Sequence, residues 1–255
     1  MTLPEALIAS PQRRAVLRRW AGRLALAALL APWSLPAFAV SGSYAGNGTF
    51  AQSLWWLDFT GFSTASTSAQ ALTFTLPSGA GTLGLSAQIS STAMQLVAEP
   101  SWSGGGAFGH GVYNGIGGTP IFYWLNQVGA ATVTLSSLSV QDASGNTRSF
   151  VLYAADGENT NFPETITYAS TANWRLIDTV NYYALFNGSV PTLTGTGTTS
   201  VLESGTVLGD NNYNASIVLG TSSPTQVSSP LAGTKQPCLP CPYRPSPSTS
   251  SSPGA

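Results

Sequence analysis

The chain has 255 residues, room for one large β domain or two small ones, yet it carries only nine basic and ten acidic side chains. Five of the basic residues (Arg13, Arg14, Arg18, Arg19, Arg23) and one acid, Glu5, precede Val40, so the remainder keeps four basic and nine acidic groups and a formal charge of −5. That balance excludes the positive footprint that nucleic acid or an anionic membrane surface requires, and low charge with ordinary apolar content argues against disorder in the middle of the chain.

The first 39 residues read as an export signal. A basic stretch from Arg13 to Arg19 precedes an apolar run from Leu24 to Trp33, and Ala37-Phe38-Ala39 supplies the small-x-small pattern that signal peptidase accepts. The run is too short to span a bilayer. A cut between Ala39 and Val40 leaves a mature chain with no transmembrane helix. The paired Arg13 and Arg14 fit a twin-arginine signal, and an ordinary secretory signal fits as well. Both predict an exported protein, extracellular or at the surface of a bacterium.

Alternating side chains predict a series of short strands. In Leu54–Phe59, Trp55 and Trp56 must face opposite sides, so at least one belongs to a core. Leu72, Phe74 and Leu76 share one face, as do Leu83, Leu85, Ala87 and Ile89; Pro77-Ser78-Gly79 between the two runs predicts a hairpin. Gln95–Glu99 offers one helical turn at most. Ile121–Leu125 reads as a strand. Thr132–Val140 slips in phase: Val133 and Leu135 have one parity and Leu138 and Val140 the other, which an extra residue at Ser136-Ser137, a β-bulge, reconciles. Asp142–Asn146 turns the chain into a strand from Arg148 to Ala154. Thr165–Tyr168, Trp174–Asp178 and Ala215–Leu219 complete about ten strands, the pattern of an all-β sandwich or jelly roll. Residues 236–255 contain six prolines and five serines, and this composition predicts a disordered tail. The expected division is a signal over 1–39, a single β-sandwich domain over 40–222, and a linker and tail over 223–255.

Few residues offer chemistry. Cys238 and Cys241 form a CxxC pair inside the Pro-rich tail, where a local disulfide or two free thiols fit better than redox exchange. His110 is the only histidine, which leaves a zinc site or a Ser-His-Asp triad short of parts. The densest polar block is Phe150–Asp178. It gathers Asp156, Glu158, Asn159, Asn161 and Glu164, then Trp174 and Arg175. Acids and amides on one loop are oxygen ligands suited to Ca²⁺. Beside an aromatic they also suit a polar ligand such as a glycan. Two carboxylates at a fixed separation are the apparatus of glycoside hydrolysis. A loop that caps its own backbone and pairs Arg175 with an acid satisfies the same composition. No cofactor is called for by the residues, Ca²⁺ being the one metal they suit.

Trp56–Phe62 (WLDFTGF), Thr73–Gly79 (TFTLPSG), the Phe150–Asp178 block and the closing strand Ala215–Gly220, in that order, resemble the non-repetitive ligand-binding region of CshA-type bacterial surface adhesins. The resemblance covers roughly residues 41–222. It implies a lectin-like β-sandwich that adheres to host or matrix molecules, fibronectin among them. The tandem repeats and wall anchor of that family have no counterpart in this sequence, and its long N-terminal arm shrinks to a few residues. The expectation is therefore a non-enzymatic binding module for an extracellular glycan or a host or matrix protein, using Asp156, Glu158, Asn159, Asn161, Glu164, Trp174 and Arg175. A glycosidase built on two of Asp156, Glu158 and Glu164, and a packing domain of a surface assembly with no ligand of its own, are the alternatives. The sequence is silent on oligomeric state.

Overall fold

The structure is a computed structural model that describes residues 38–40, 42–44, 53–97, 117–124, 130–156, 160, 164–180, 190–206, 215–232 and 243–245. The chain divides into two compact units, Met1–Pro36 and Ala37–Ala255, and every described residue belongs to the second. That unit is built from strands: β1 (Phe38–Val40), β2 (Gly42–Tyr44), β3 (Trp55–Leu57), β4 (Gln70–Thr75), β5 (Thr82–Ile89), β6 (Met94–Val97), β7 (Ile121–Trp124), β8 (Ala130–Gln141) and β9 (Thr147–Arg148) come first. They are followed by β10 (Phe150–Ala155), β11 (Thr165–Ser170), β12 (Trp174–Val180), β13 (Thr192–Thr194), β14 (Ser200–Ser204), β15 (Ser216–Ser222), β16 (Gln226–Ala232) and β17 (Tyr243–Pro245). A 3₁₀ turn, Pro77–Gly79, joins β4 to β5.

Two sheets face each other. The first runs β1-β4-β5-β8-β16-β11-β14-β13, with β9 added beside β8; the second runs β12-β15-β10-β17-β3-β2; β6 and β7 form a separate ribbon. Inward side chains of both sheets meet in one cluster: Leu72, Phe74, Leu83, Val133 and Val201 from the first, Trp55, Leu57, Leu152, Trp174 and Leu219 from the second. This is a β-sandwich, and its core follows from the period-two alternation of the strands. The ribbon joins through Met94, Phe122 and Trp124, and Phe59 packs edge-on against Phe74 and Phe122 with ring centroids 5.4 and 4.8 Å apart.

The second sheet is apolar on its other face as well. Leu54, Trp56, Tyr153, Ala155 and Val218 form a smaller cluster there, so Trp55 and Trp56 do face opposite sides and both are buried. Burial on both faces explains why β15 has one exposed residue, Ser222, in seven. Gly220 sits on this strand where a Cβ would lie 2.8 Å from Ile177 and 3.2 Å from Tyr153, so the close packing needs a residue without one.

The phase slip in β8 is a bulge. Gly84 pairs with Ser139 but Ser86 with Ser136, and Ser137 takes a positive φ of 54°. The extra residue lets Leu135, Leu138 and Val140 all reach the core. At the edge of the second sheet, β12 carries its own irregularity between Leu176 and Asp178, beside the exposed Leu176; such a kink blunts an edge against pairing with other chains.

Three expectations need correction. The stretch around Gln95 is strand β6, not a helical turn, because it pairs residue for residue with β7. The division at residue 222 places the linker too early. β16 lies inside the first sheet between β8 and β11, with Val227, Ser229 and Leu231 turned inward. Pro230, which has no N–H to give, sits beyond the last β11–β16 pair, and Ser229 Oγ donates to Thr167 O at 2.8 Å in its neighbourhood. The Pro-rich tail, too, contributes order: β17 pairs with β10 on one side and with Trp55 of β3 on the other. The predicted cut after Ala39 falls within β1, whose parallel pairing with β4 (Phe38–Leu72, Ala39–Thr73, Val40–Phe74) therefore belongs to the uncut chain.

Candidate functional site

The Phe150–Asp178 block spans both sheets. β10 ends the first half of it in the second sheet, and β11 begins the second half in the first sheet, so residues 156–164 link the two sheets in sequence. Asp156, directly after β10, is wholly buried. Its Oδ2 accepts a hydrogen bond from Thr160 Oγ1 at 2.7 Å. The same hydroxyl lies 3.0 Å from Oε1 of Glu203, a buried residue of β14, and Tyr168 on β11 donates its hydroxyl to Glu203 Oε2 at 3.3 Å. A polar chain thus runs from the second sheet through the connection to the first. At the far end of the connection, Gly205 N donates to the backbone oxygen of Glu164 at 3.0 Å, next to the β11–β14 ladder.

Asp156, Thr160 and Glu164 are therefore fixed to strands of both sheets. Glu158, Asn159 and Asn161 lie outside the described residues. Glu164 is half-buried. Trp174 is fully buried in the main core, its ring edge-on to Tyr168 at 6.1 Å. It supports Tyr168 from below and presents no face to solvent, because alternation on β12 turns Trp174 inward and the exposed Arg175 outward. Trp174, expected among the ligand-binding residues, is thus a core side chain, while Arg175 is exposed. The Trp174 Nε1 hydrogen has no acceptor among the described residues.

Glu203 was not among the residues singled out from the sequence. Its signal was parity: in Ser200–Ser204 it shares a face with buried Val201 and not with exposed Leu202. An acid on the core side of a strand needs a partner, and the partner lies 43 residues away in sequence.

Among the described residues no group of three or more His, Cys, Asp or Glu is placed to hold a metal ion, and no helix is long and apolar enough to cross a membrane. Asp58, inside the WLDFTGF motif, has a structural post. Its Oδ1 accepts from Thr60 N (2.9 Å), Thr60 Oγ1 (2.6 Å) and Thr119 N (2.9 Å), tying the segment after β3 to the segment before β7. Gly118, at a φ of +75°, is needed there because a Cβ would run into the Asp58 carboxylate. Asp142 closes the β8–β9 turn. The Asn146 backbone N–H above all, with Arg148, Asn146 and Ser144 after it, lowers its pKa to about 2 from 3.8.

No protein-family model matches this chain, and no curated protein or solved structure matches it.

Proposed function

We propose that this chain is an exported, adhesin-like binding module that recognises an extracellular glycan or a host or matrix protein through the connection between β10 and β11. The observation that carries the reading is the anchoring of that connection. Asp156, Thr160 and Glu164 are held to strands of the two sheets, and Glu158, Asn159 and Asn161 lie between them in the sequence. Mounting polar groups on a rigid sandwich limits the entropy lost when a ligand is bound. The export signal read from the sequence supports a partner outside the cell, and the formal charge of −5 beyond residue 39 speaks against nucleic acid. The resemblance to CshA-type adhesins points the same way.

Hydrolysis is the weaker reading. Asp156 is closed off from solvent and already bridged to Glu203 through Thr160, which speaks against the carboxylate pairs that include it, since a glycosidase needs both carboxyl groups at the scissile bond. Immobilised glycans and matrix proteins, fibronectin included, are the assay. The chain is expected to be retained by at least one, and the triple change Glu158→Ala, Asn159→Ala, Asn161→Ala is expected to weaken retention tenfold or more, which corresponds to about 1.4 kcal/mol. Retention by none, or retention unchanged by the triple substitution, would overturn the proposal.

A further inference from the structure

We propose that removal of the export signal uncovers an unprotected sheet edge, strand β4, and that this edge joins two copies of the chain by antiparallel β4–β4 pairing. The inference rests on the exported character proposed above and not on any ligand.

Its starting point is the place of β1. In the uncut chain Phe38, Ala39 and Val40 pair in parallel with Leu72, Thr73 and Phe74, at the end of the first sheet. A cut between Ala39 and Val40 takes away two of these three residues and leaves Val40, opposite Phe74, carrying a new α-amino charge. One residue makes no strand. β4 then ends the sheet, and the backbone groups that received β1 are free to receive another strand.

The other sheet ends are blunted. β13 has three residues, with Pro191 before it and Gly195 at a φ of +89° after it. β12 carries the register shift between Leu176 and Asp178 together with the charges of Arg175 and Asp178. β2 has three residues. Shortness, proline, bulges and charge are the features that keep edges from pairing with other chains. β4 has none of them: its six residues, Gln70–Thr75, hold an unbroken register with β5 and include neither a charge nor a proline.

A second copy fits this edge because β4 is complementary to itself. Leu72 and Phe74 turn to the core, and Ala71, Thr73 and Thr75 turn to the outer face. Residues opposite each other in an antiparallel pair lie on one side of the sheet, so in-facing residues must meet in-facing ones. A twofold axis centred on Thr73 sets Leu72 against Phe74 of the second copy and Ala71 against its Thr75. Centring on Leu72 would set Gln70 against Phe74, yet the Gln70 amide is tied to Ser63, accepting from its N–H at 2.9 Å and donating to its carbonyl at 2.7 Å. The register centred on Thr73 is therefore expected, and such an isologous contact closes at two copies.

The test compares two forms of the whole protein. The processed form is collected after export, and its mass gives the cut. The 255-residue form comes from cell-free synthesis without signal peptidase. Sedimentation of the processed form is expected to give twice the chain mass. Its hydrogen exchange over residues 71–75 is expected to slow as concentration rises, whereas exchange there in the 255-residue form is expected to ignore concentration. Thr73→Lys sets two like charges against each other on the axis and is expected to raise the dimer dissociation constant about tenfold. A processed form that stays single, or a dimer whose exchange over 71–75 ignores concentration, overturns the proposal. The same slowing in the 255-residue form overturns it too. These readings come from the unsubstituted chain, so a variant that fails to fold does not remove the test. A collected product that still holds residues 1–39 defeats the export reading and this proposal with it; a correct cut without dimers defeats the pairing alone.

Discussion

Replacing Trp174 separates a core role from a binding role. The side chain is wholly buried in the main core, and removing a buried tryptophan to alanine costs about 3–5 kcal/mol in lost contacts and residual cavity. Against a typical domain stability of about 5–15 kcal/mol, Trp174→Ala should unfold the chain at much lower urea. Phenylalanine behaves differently. It gives up part of the buried ring area, about 1–2 kcal/mol, but it also removes the indole N–H that finds no acceptor among the described residues, and an unsatisfied buried donor costs about 1–3 kcal/mol. The two effects nearly cancel, so Trp174→Phe should lie within about 1 kcal/mol of wild type. Urea titrations followed by circular dichroism give both differences at constant slope. An alanine variant as stable as wild type would refute the placement of this ring in the core, and all the more so if ligand retention vanished with it.

Gly220→Ala forces a methyl against Ile177 at 2.8 Å and should cost about 1–3 kcal/mol, seen in a thermal melt as a fall of roughly 2–4 °C for each kcal/mol. Asp142 has a depressed pKa, about 2 against 3.8, so its stabilising effect is present above 3.8 and fades as pH falls towards 2. Asp142→Asn should therefore flatten the acid limb of melting temperature against pH in that window, leaving a smaller difference between wild type and variant at pH 2 than at pH 6. Deleting residues 233–255 removes β17 from between β10 and β3. At about 1 kcal/mol for each ladder bond the urea midpoint should fall by the equivalent of about 2–4 kcal/mol, and an unchanged midpoint would mean the tail strand contributes nothing.

Much of the sandwich can be read from side-chain parity alone. Leu72 and Phe74, Leu83 to Ile89, and the slip between Leu135 and Leu138 all alternate in ways only a strand with one buried face can use, and the bulge at Ser136-Ser137 follows from the slip. Local signals misled where they were shared by two structures. Ser228-Ser229-Pro230 has the composition of a linker, yet Val227, Ser229 and Leu231 alternate inward and the neighbouring strands supply the partners. β6 lies beside β7 because their backbones pair, a fact that no composition records.

The candidate site divides in the same way. Sequence pattern marks Asp156 and the connection after it, since acids and amides crowded between two strands are visible in the chain itself. Folding brings Glu203 to Thr160 from 43 residues away and turns Trp174 into the core beneath Tyr168. Periodicity says which way a side chain points relative to its own strand; which strand lies opposite depends on how the two sheets stack, and so burial, partners and the shared hydroxyl are properties of the tertiary structure.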